Sequence, residues 1–311
     1  MQPLVILVLL AALLVCIVLG ANNASACVRT SAGIVSVEYS TLAMVGGLGV
    51  ILGSVIEGGK LSNAIYGGVL VNQTDKATIV IFVATLAVMF VATILKLPLS
   101  LTQAMIGAAL PIGLLGTDVN WRFLTLVGGS WVATPLVAAT LSSMIYWIVK
   151  QMSRKIGNIF QRARIYAAIT VAGSFYVGYA LGTNGVGLIY GIARSLVGTV
   201  PFLSLFLSIA AAAGIYLFGY AVTGTVSEKI LALAGAAALA AQVGGALTVH
   251  LFTQIGFPVS ITQAVVGGIV GIGQAKSIVI MNRRTVLRVV FGWIVAPLAG
   301  LVVAWLLLVL I

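Results

Sequence analysis

The sequence is poor in the side chains that enzymes use for chemistry. Its 311 residues include five Asp and Glu residues and one histidine. It contains no HExxH zinc motif, no phosphate-binding Walker loop and no nucleophile–base pair. This scarcity argues against an enzyme, and the sequence predicts neither an organic cofactor nor a metal centre.

Two further absences concern the N-terminal region. Cys16 and Cys27 are the only cysteines, and their spacing matches neither a metal site nor a disulfide framework, so we interpret both as buried thiols. The first ten residues contain no Lys or Arg, which a secretory signal peptide normally has. The N-terminal apolar segment is therefore expected to belong to the fold.

Charged residues are few, and apolar residues are correspondingly many. Only 7% of the residues are charged and 61% are hydrophobic, which predicts a multi-pass protein of the cell membrane. Sixteen Lys and Arg residues give a net charge of +11. Cytoplasmic loops and anionic lipid headgroups explain this excess. The sequence has no basic stripe interleaved with aromatic residues, so nucleic acid is not an expected partner. The expected surroundings are membrane lipid. Whether the chain forms a homodimer is left open.

One segment of the chain occurs twice. Residues 97–107 read LPLSLTQAMIG, and residues 257–267 read FPVSITQAVVG. Other residues recur at nearly the same spacing: Gly20, Asn22, Asn120, Trp131 and Pro135 return as Gly182, Asn184, Asn282, Trp293 and Pro297. An internal duplication in an apolar chain is typical of secondary transporters.

The duplication divides ten apolar stretches into two sets of five. They are residues 3–21, 42–56, 77–95, 99–116, 121–149, 165–182, 197–222, 230–249, 258–275 and 286–311. We predict an all-α polytopic membrane protein of two inverted repeats, each with about five membrane segments and with broken or re-entrant helices. The first repeat is assigned to residues 1–149 and the second to residues 165–311.

The linker between the repeats, residues 150–164, indicates the orientation. It carries five basic residues and no acid, so we predict that it is cytoplasmic and that both termini lie outside. Two topologies fit the charges. In one, all five segments of each repeat cross the membrane; in the other, the segments around Asn22 and Ser100 and their counterparts are re-entrant, leaving three crossings per repeat.

The duplicated segment has the composition of a helix start. Pro98 and Pro258 suit a first helical turn, and hydroxyl residues beside them are capping residues. A helix N-terminus attracts anions because its free N–H groups and its dipole both face the ligand. Inversion of the repeats should bring both copies to one central site. The predicted substrate-binding residues in these segments are Ser100, Thr102, Gln103, Ser260, Thr262 and Gln263.

Polar breaks near the start of each repeat supply the remaining candidates. Asn22 and Asn23 interrupt the first apolar run, and Asn184 interrupts its counterpart. Such a break is tolerated in a bilayer only where it is buried in protein or lines a cavity; the alternative is a helix-ending loop at the surface. Arg29 and Arg194 follow these breaks and either attract an anion or anchor the chain at the interface.

These motifs resemble those of the inorganic phosphate transporter (PiT) family. That family has a GAN-type break early in each half, then a P-x-S-x-T-Q/H-A-x-x-G segment, then an N-x-R/W segment followed by S/G-W-x-x-x-P. The last element reads Asn120-Trp121-Arg122 with Ser130-Trp131 and Pro135 in the first half. The resemblance extends over nearly the whole chain and implies a short family member that carries inorganic phosphate, driven by a coupling cation.

The chain departs from the family pattern at its carboxylates. Asn23 and Gly185 occupy the positions where the family pattern has Asp, and Gln103 and Gln263 occupy positions where it frequently has His. The resemblance therefore leaves Na⁺ coupling, H⁺ coupling or no coupling open. The expected function is a secondary active phosphate permease, with a sulfate permease or a passive anion channel as alternatives.

The remaining ionisable residues and two glycines are expected to have structural roles. Glu57 is expected at headgroup level, and His250 is expected to be interfacial or satisfied by its neighbours. Glu38, Asp75, Asp118 and Glu228 have the appearance of loop residues. Gly49 and Gly214, in the glycine-rich second segment of each repeat, are predicted to be packing surfaces on which one helix bundle slides over the other.

Overall fold

The structure is a computed structural model that describes residues 3–24, 26, 37–69, 75–95, 97, 99–114, 120–198, 202–222, 236–275 and 283–310. Its α-helices are α1 (Pro3–Ala24), α2 (Tyr39–Gly68), α3 (Asp75–Ile94), α4 (Leu101–Leu114), α5 (Trp121–Arg154), α6 (Ile159–Leu181), α7 (Gly187–Val197), α8 (Leu203–Val222), α9 (Ala236–Gln254), α10 (Ile261–Ala275) and α11 (Arg283–Leu310). A single π-helical turn, Gly182–Val186, joins α6 to α7.

Within the described residues, each half has four long apolar helices and one short one. Eight of these helices are long and apolar enough to cross a membrane, with α6, the π-turn and α7 counted as one span. The short helices α4 and α10 have 14 and 15 residues. At about 1.5 Å per residue they are shorter than a ~30 Å hydrocarbon core. The chain is a multi-pass membrane protein, as predicted, and the duplicated motif forms its short helices.

This arrangement lies between the two topologies that the charges allowed. The duplicated motif forms the short helices, as in the re-entrant alternative. The Asn breaks, however, belong to helices that are long enough to cross, as in the alternative with five crossings. In the second half the break is accommodated by one π-helical turn, so the helix continues through it.

The predicted linker is mostly helical. Helix α5 continues to Arg154 and α6 begins at Ile159, which leaves four residues between them. Asn158 caps α6, because its side-chain oxygen accepts hydrogen bonds from the backbone N–H groups of Phe160 and Gln161 at 2.8 and 3.2 Å. Lys150, Arg154, Lys155 and Arg164 are exposed. The repeat boundaries and the cytoplasmic location of this segment stay predictions.

The two halves interlock rather than stand side by side. Helix α1 packs against α8 and α2 against α6, while α4 packs against α11 and α5 against α10. Replacing each helix by its equivalent in the other half converts the first pair into the second and the third pair into the fourth. This correspondence is the pattern of a twofold pseudo-symmetry. The apolar side chains on the outside, such as Phe90 and Leu217, are exposed to the surroundings, as expected where the solvent is lipid.

Glycines set the distance between the interlocked helices. A Cβ atom on Gly49 of α2 would overlap the carbonyl oxygen of Phe175 in α6, and one on Gly214 of α8 would overlap that of Ile17 in α1. These positions are equivalent in the two repeats. The structure confirms that both glycines are close-packing positions between the halves.

Candidate functional site

The two copies of the duplicated motif form equivalent helix starts. Ser100 precedes α4 and Ser260 precedes α10, and the hydroxyl of each faces the backbone N–H of Gln103 or Gln263 at 3.4 Å. Both serines therefore occupy N-cap positions, as the sequence predicted. The first N–H groups of each helix have no intrahelical partner. Pro98 lies outside the described residues, so the start of the first motif is defined here by Ser100.

The Asn breaks lie against these helix starts. The amide nitrogen of Asn184 donates to the hydroxyl of Thr253 at 2.8 Å and to the carbonyl of Phe257 at 3.1 Å. Its amide oxygen accepts from the N–H of Val259 at 3.2 Å. Asn184 therefore fastens the π-turn to the segment that leads into α10. In the first half, Asn22 makes a longer contact of the same kind, with its nitrogen 3.5 Å from the carbonyl oxygen of Leu99.

One hydrogen bond at the site connects the two repeats directly. The hydroxyl of Thr262, at the start of α10, donates to the side-chain oxygen of Asn23 at 3.4 Å. The amide nitrogen of Asn23 is already engaged, because it donates to the carbonyl of Leu19 at 2.9 Å. The end of α1 and the start of α10 thus form one polar wall built from both halves of the chain.

A small cavity opens between the two helix starts and the two breaks. Seven of the nine predicted site residues line it, and these are Asn22, Asn23, Ser100, Thr102, Asn184, Ser260 and Thr262. Sequence reasoning missed the apolar part of the wall, which consists of Leu19, Leu101, Leu181, Val259 and Ile261. No charged side chain occurs among the described residues that line it. Its free interior is roughly the size of one water molecule.

The two predicted glutamines lie just outside the cavity wall. Gln103 and Gln263 are each 1% exposed. Within the part of the chain that the structure describes, their side-chain oxygens have no hydrogen-bond partner. A buried amide oxygen without a donor is costly, typically by about 1–3 kcal/mol. The two oxygens occupy equivalent positions in the repeats, each one residue beyond a cavity-lining threonine.

Leucine side chains fill the space beside Gly185. A Cβ on Gly185 would lie 2.8 Å from a methyl group of Leu19 and 3.2 Å from one of Leu181. In the family pattern an aspartate occupies this position. Packed apolar groups therefore occupy the space that a carboxylate side chain at position 185 would need.

The Trp and Pro motif of each half packs against the short helix of the other half. Trp131 of α5 donates from its indole nitrogen to the carbonyl of Pro258 at 2.9 Å. A Cβ on Gly267 would overlap the carbonyl oxygen of Pro135 in α5, and one on Gly107 would overlap that of Pro297 in α11. The Trp and Pro motifs thus hold α4 and α10 in place without lining the cavity.

The remaining ionisable residues lie away from the cavity. Arg194 donates to the side-chain oxygen of Asn63 at 2.7 Å and lies over the ring of Tyr66, so it is tied to α2. Glu57 and His250 pair with each other at 2.9 Å, which no sequence pattern indicated. Glu38 precedes α2 and is exposed. Arg29, Asp118, Glu228 and Asn282 lie outside the described residues, as does Cys27, while Cys16 is buried as predicted.

The site offers neutral oxygen and nitrogen ligands. Among the described residues, no group of three or more His, Cys, Asp or Glu side chains could hold a metal ion. The amide and hydroxyl oxygens at the cavity are ligands that a hard monovalent cation accepts, and the N–H and O–H groups there suit an oxyanion.

Comparison with known proteins gives a consistent result. Residues 19–172 and residues 153–304 each match the model of the phosphate transporter family, so the family model is matched once by each half. A protein of Methanocaldococcus jannaschii named as a putative phosphate permease is 28% identical over 291 residues, which cover 93% of this chain and 91% of that protein. A sulfate permease of Bacillus subtilis is 26% identical over 294 residues, covering 93% and 83%.

A solved structure has the same fold. It is described as a sodium-dependent phosphate transporter, and it superimposes on this chain with a TM-score of 0.84 over all of both chains. The sequence identity is 19%. The family model and these relatives all describe transporters rather than enzymes.

Proposed function

We propose that this chain, which belongs to the phosphate transporter family, is a secondary active permease that carries inorganic phosphate across the membrane, driven by a cation gradient. The anion binds between the two helix starts, where Ser100 and Thr102 of one repeat face Ser260 and Thr262 of the other. The Asn residues of the two breaks form the remaining walls.

The observation that supports this proposal most is the cavity between α4 and α10. It is lined by residues of both helix starts, so two sets of free N–H groups and two positive helix ends are directed at the same small volume. A doubly charged oxyanion is stabilised by such an arrangement without any cationic side chain. Neutral donors also let the anion leave again, which a permease requires.

The cavity has to widen to admit a phosphate ion. Its interior is about the size of one water molecule, whereas phosphate has four oxygens around its phosphorus. Inverted repeats provide the means, because a change that opens the site to one side has a counterpart that opens it to the other. This favours a carrier over a passive channel. Counterflow of labelled phosphate in liposomes distinguishes them, since a channel shows none.

The buried glutamines favour phosphate over sulfate. Hydrogen phosphate keeps a proton at neutral pH and needs a hydrogen-bond acceptor, whereas sulfate has no proton to donate. The side-chain oxygens of Gln103 and Gln263 lie next to the cavity without a donor among the described residues. Either oxygen accepts the proton of hydrogen phosphate once its side chain turns toward the cavity.

Sulfate is the second candidate because the cavity lacks a carboxylate. A carboxylate is the strongest acceptor for a phosphate proton and repels sulfate, so its absence weakens the discrimination between the two anions. None of the described lining residues is acidic. A sulfate permease is moreover among the relatives that this chain matches over most of its length.

Competition in proteoliposomes decides between the two anions. Uptake of labelled phosphate is measured against excess sulfate, and uptake of labelled sulfate against excess phosphate, each with and without Na⁺. Gln103→Met and Gln263→Met should lower phosphate uptake more than sulfate uptake, while Gln161→Met, at an exposed position of α6, should change neither. Sulfate uptake that is unaffected by excess phosphate would show that the chain is not a phosphate permease.

A further inference from the structure

A cluster of titratable side chains joins the two repeats at a distance from the cavity lining. One carboxylate oxygen of Glu57 in α2 lies 2.9 Å from Nε2 of His250 in α9. The same oxygen accepts a hydrogen bond from the side-chain nitrogen of Gln254 at 2.7 Å. Nδ1, the other ring nitrogen of His250, lies 3.0 Å from the hydroxyl of Tyr176 in α6. Glu57 belongs to the first repeat, and its partners belong to the second.

We propose that the Glu57–His250 pair is the site at which a proton binds and is coupled to anion transport. This inference rests on the proposed function and names its coupling cation as H⁺. The proton comes from water and adds to Nδ1 of His250. No other bond is formed or broken.

The hydrogen bonds around His250 fit both protonation states of its ring. A carboxylate only accepts, so Nε2 of His250 must carry the hydrogen that bonds to Glu57. In the neutral ring, Nδ1 then accepts a hydrogen bond from the hydroxyl of Tyr176. In the charged ring, Nδ1–H donates to the same hydroxyl, which can act in either direction. Gain or loss of a proton on Nδ1 is therefore accompanied by rotation of the Tyr176 hydroxyl, and the contact between His250 and Tyr176 is kept in both states.

Water can reach the pair from one side. The side chains of His250 and Glu57 are 22% and 23% exposed, and Lys60 is 51% exposed. The ammonium of Lys60 lies 4.0 Å from the carboxylate and also bonds to Gln254. A lysine that exposed is strongly disfavoured against lipid tails, so the open side of the cluster is aqueous. Among the described residues, the titratable groups that face the pair are Lys60, Tyr176 and Tyr179, and the ring of Tyr179 packs edge-on against the imidazole.

The three helices that meet at this cluster also hold Asn184 at the cavity. Helix α6 leads directly into the π-turn that contains Asn184. Thr253 of α9, about one helical turn after His250, accepts a hydrogen bond from the side chain of Asn184. Helix α2 packs directly on the turn, because a Cβ on Gly182 would overlap the carbonyl oxygen of Val50. A change in the attraction between α2 and α9 is therefore transmitted to the wall of the binding site.

Protonation changes that attraction. The charged imidazole adds an attraction between opposite charges to the hydrogen bond that the neutral ring already makes with the carboxylate. The protonated pair therefore favours the arrangement of this structure, in which α2 of the first repeat is held against α9 of the second. Loss of the proton favours their separation. A ligand that binds one arrangement better than the other shifts the equilibrium between them, and here the proton is that ligand.

The pair is present on one side of the pseudo-twofold axis only. Spacings of the two repeats place Val222 opposite Glu57 and Phe90 opposite His250, and Leu14 is the counterpart of Tyr176. None of the three can bind a proton. Symmetric repeats alone give two arrangements of similar energy. If a proton binds more tightly in one of these arrangements, the free-energy difference between the two arrangements depends on pH. Coupling to a proton gradient requires this dependence.

Transport in proteoliposomes tests the proposal. In Na⁺-free buffer, an inward proton gradient should stimulate net phosphate uptake by the unmodified chain on the order of tenfold. Glu57→Gln and His250→Gln should abolish the stimulation but keep phosphate exchange at zero gradient, because the cavity is intact. Glu38→Gln, an exposed carboxylate outside the cluster, should keep the full stimulation. Exchange without any response of the unmodified chain to the gradient, or full stimulation in either cluster variant, would overturn the inference and leave the proposed function standing.

A direct measurement covers the case in which the chain carries neither phosphate nor sulfate, which would refute the proposed function itself. Because His250 is the only histidine, labelling histidine with ¹⁵N gives one ring to observe by NMR. Its ring signals should change when the buffer is acidified, and this change should be altered when Glu57 is replaced by Gln. A ring that does not titrate, or that ignores Glu57→Gln, would show that the pair is not a proton site.

Discussion

Replacement of Gly49 by alanine isolates the cost of pushing the two repeats apart. The added Cβ would overlap the carbonyl oxygen of Phe175 and lie 2.9 Å from the backbone nitrogen of Tyr179. Both atoms belong to the backbone of α6, so no side chain can move aside. Helices α2 and α6 would have to separate by roughly 1 Å to restore normal contacts.

Gly59→Ala is the matched control on the same helix, since a Cβ there would meet nothing within 4 Å. Alanine is favoured over glycine in a helix by about 1 kcal/mol, and this gain is common to both variants. Overpacking costs about 1–3 kcal/mol and applies to Gly49→Ala alone. Gly59→Ala should therefore be more stable than the unmodified chain by about 1 kcal/mol, and Gly49→Ala less stable than Gly59→Ala by about 1–3 kcal/mol.

Thermal unfolding in detergent, followed by circular dichroism at one scan rate, gives the order of stabilities. Uptake and equilibrium binding of labelled phosphate are then measured in liposomes. Gly49→Ala should slow uptake and leave binding nearly unchanged, because the cavity lies elsewhere while the sliding surface is disturbed. Equal unfolding midpoints for the two variants would refute the packing argument. Equal losses of uptake and binding would instead assign Gly49 to the site.

Three further predictions concern symmetry, the helix starts and the orientation. Gly214→Ala should behave as Gly49→Ala does, since its Cβ would overlap a backbone carbonyl of α1; an unfolding midpoint like that of Gly59→Ala would contradict the pseudo-symmetry. Ser100→Ala and Ser260→Ala should each lose a cap worth about 1 kcal/mol and weaken phosphate binding several-fold, whereas binding assays that show an effect of only one serine would argue against a shared site. A cysteine introduced at the exposed Gly157 should resist an impermeant thiol reagent added outside cells; modification comparable to that seen after lysis would place residues 150–164 outside.

The sequence was most informative where a pattern occurred twice. A motif with Pro, Ser and Thr predicted helix starts at Ser100 and Ser260, and the structure has N-caps at both. The duplication also implied that the copies meet, and residues of both line one cavity. These predictions rest on local physics, namely capping and helix dipoles, which neighbouring residues largely determine.

Details that depend on packing were not predictable from the sequence. Gln103 follows Thr102 directly, yet a helix turns about 100° per residue, so the threonine lines the cavity while the glutamine is buried behind it. The GTNG segment remains helical because it forms a π-helical turn, and no residue in the segment predicts that turn. Residues 150–154 belong to the predicted basic linker, yet they form the end of α5, because basic residues also suit an exposed helix end.

The Glu57–His250 pair was missed for a different reason. The two residues are 193 positions apart and belong to different repeats, so neither periodicity nor spacing connects them. Each one alone has the features of an interfacial residue. Only the packing of α2 against α9 and α6 brings them within hydrogen-bonding distance, together with Tyr176. A duplicated sequence pattern shows only features that occur in both repeats. It therefore gives no indication of an interaction that is present on one side of the pseudo-twofold axis alone.

The interlocking of the halves also bears on how the protein is made. Gly20 of α1 fits against the backbone of Ala211 in α8, and at a synthesis rate of about 5–20 residues per second the ribosome needs roughly 10–40 s to travel from one to the other. During that time the close-packing face of α1 has no partner. The same delay applies to α4, which waits for α11. The nascent first half must therefore remain in the membrane without its main helix partners, and a half-chain released early would present its unpaired glycine faces to other chains.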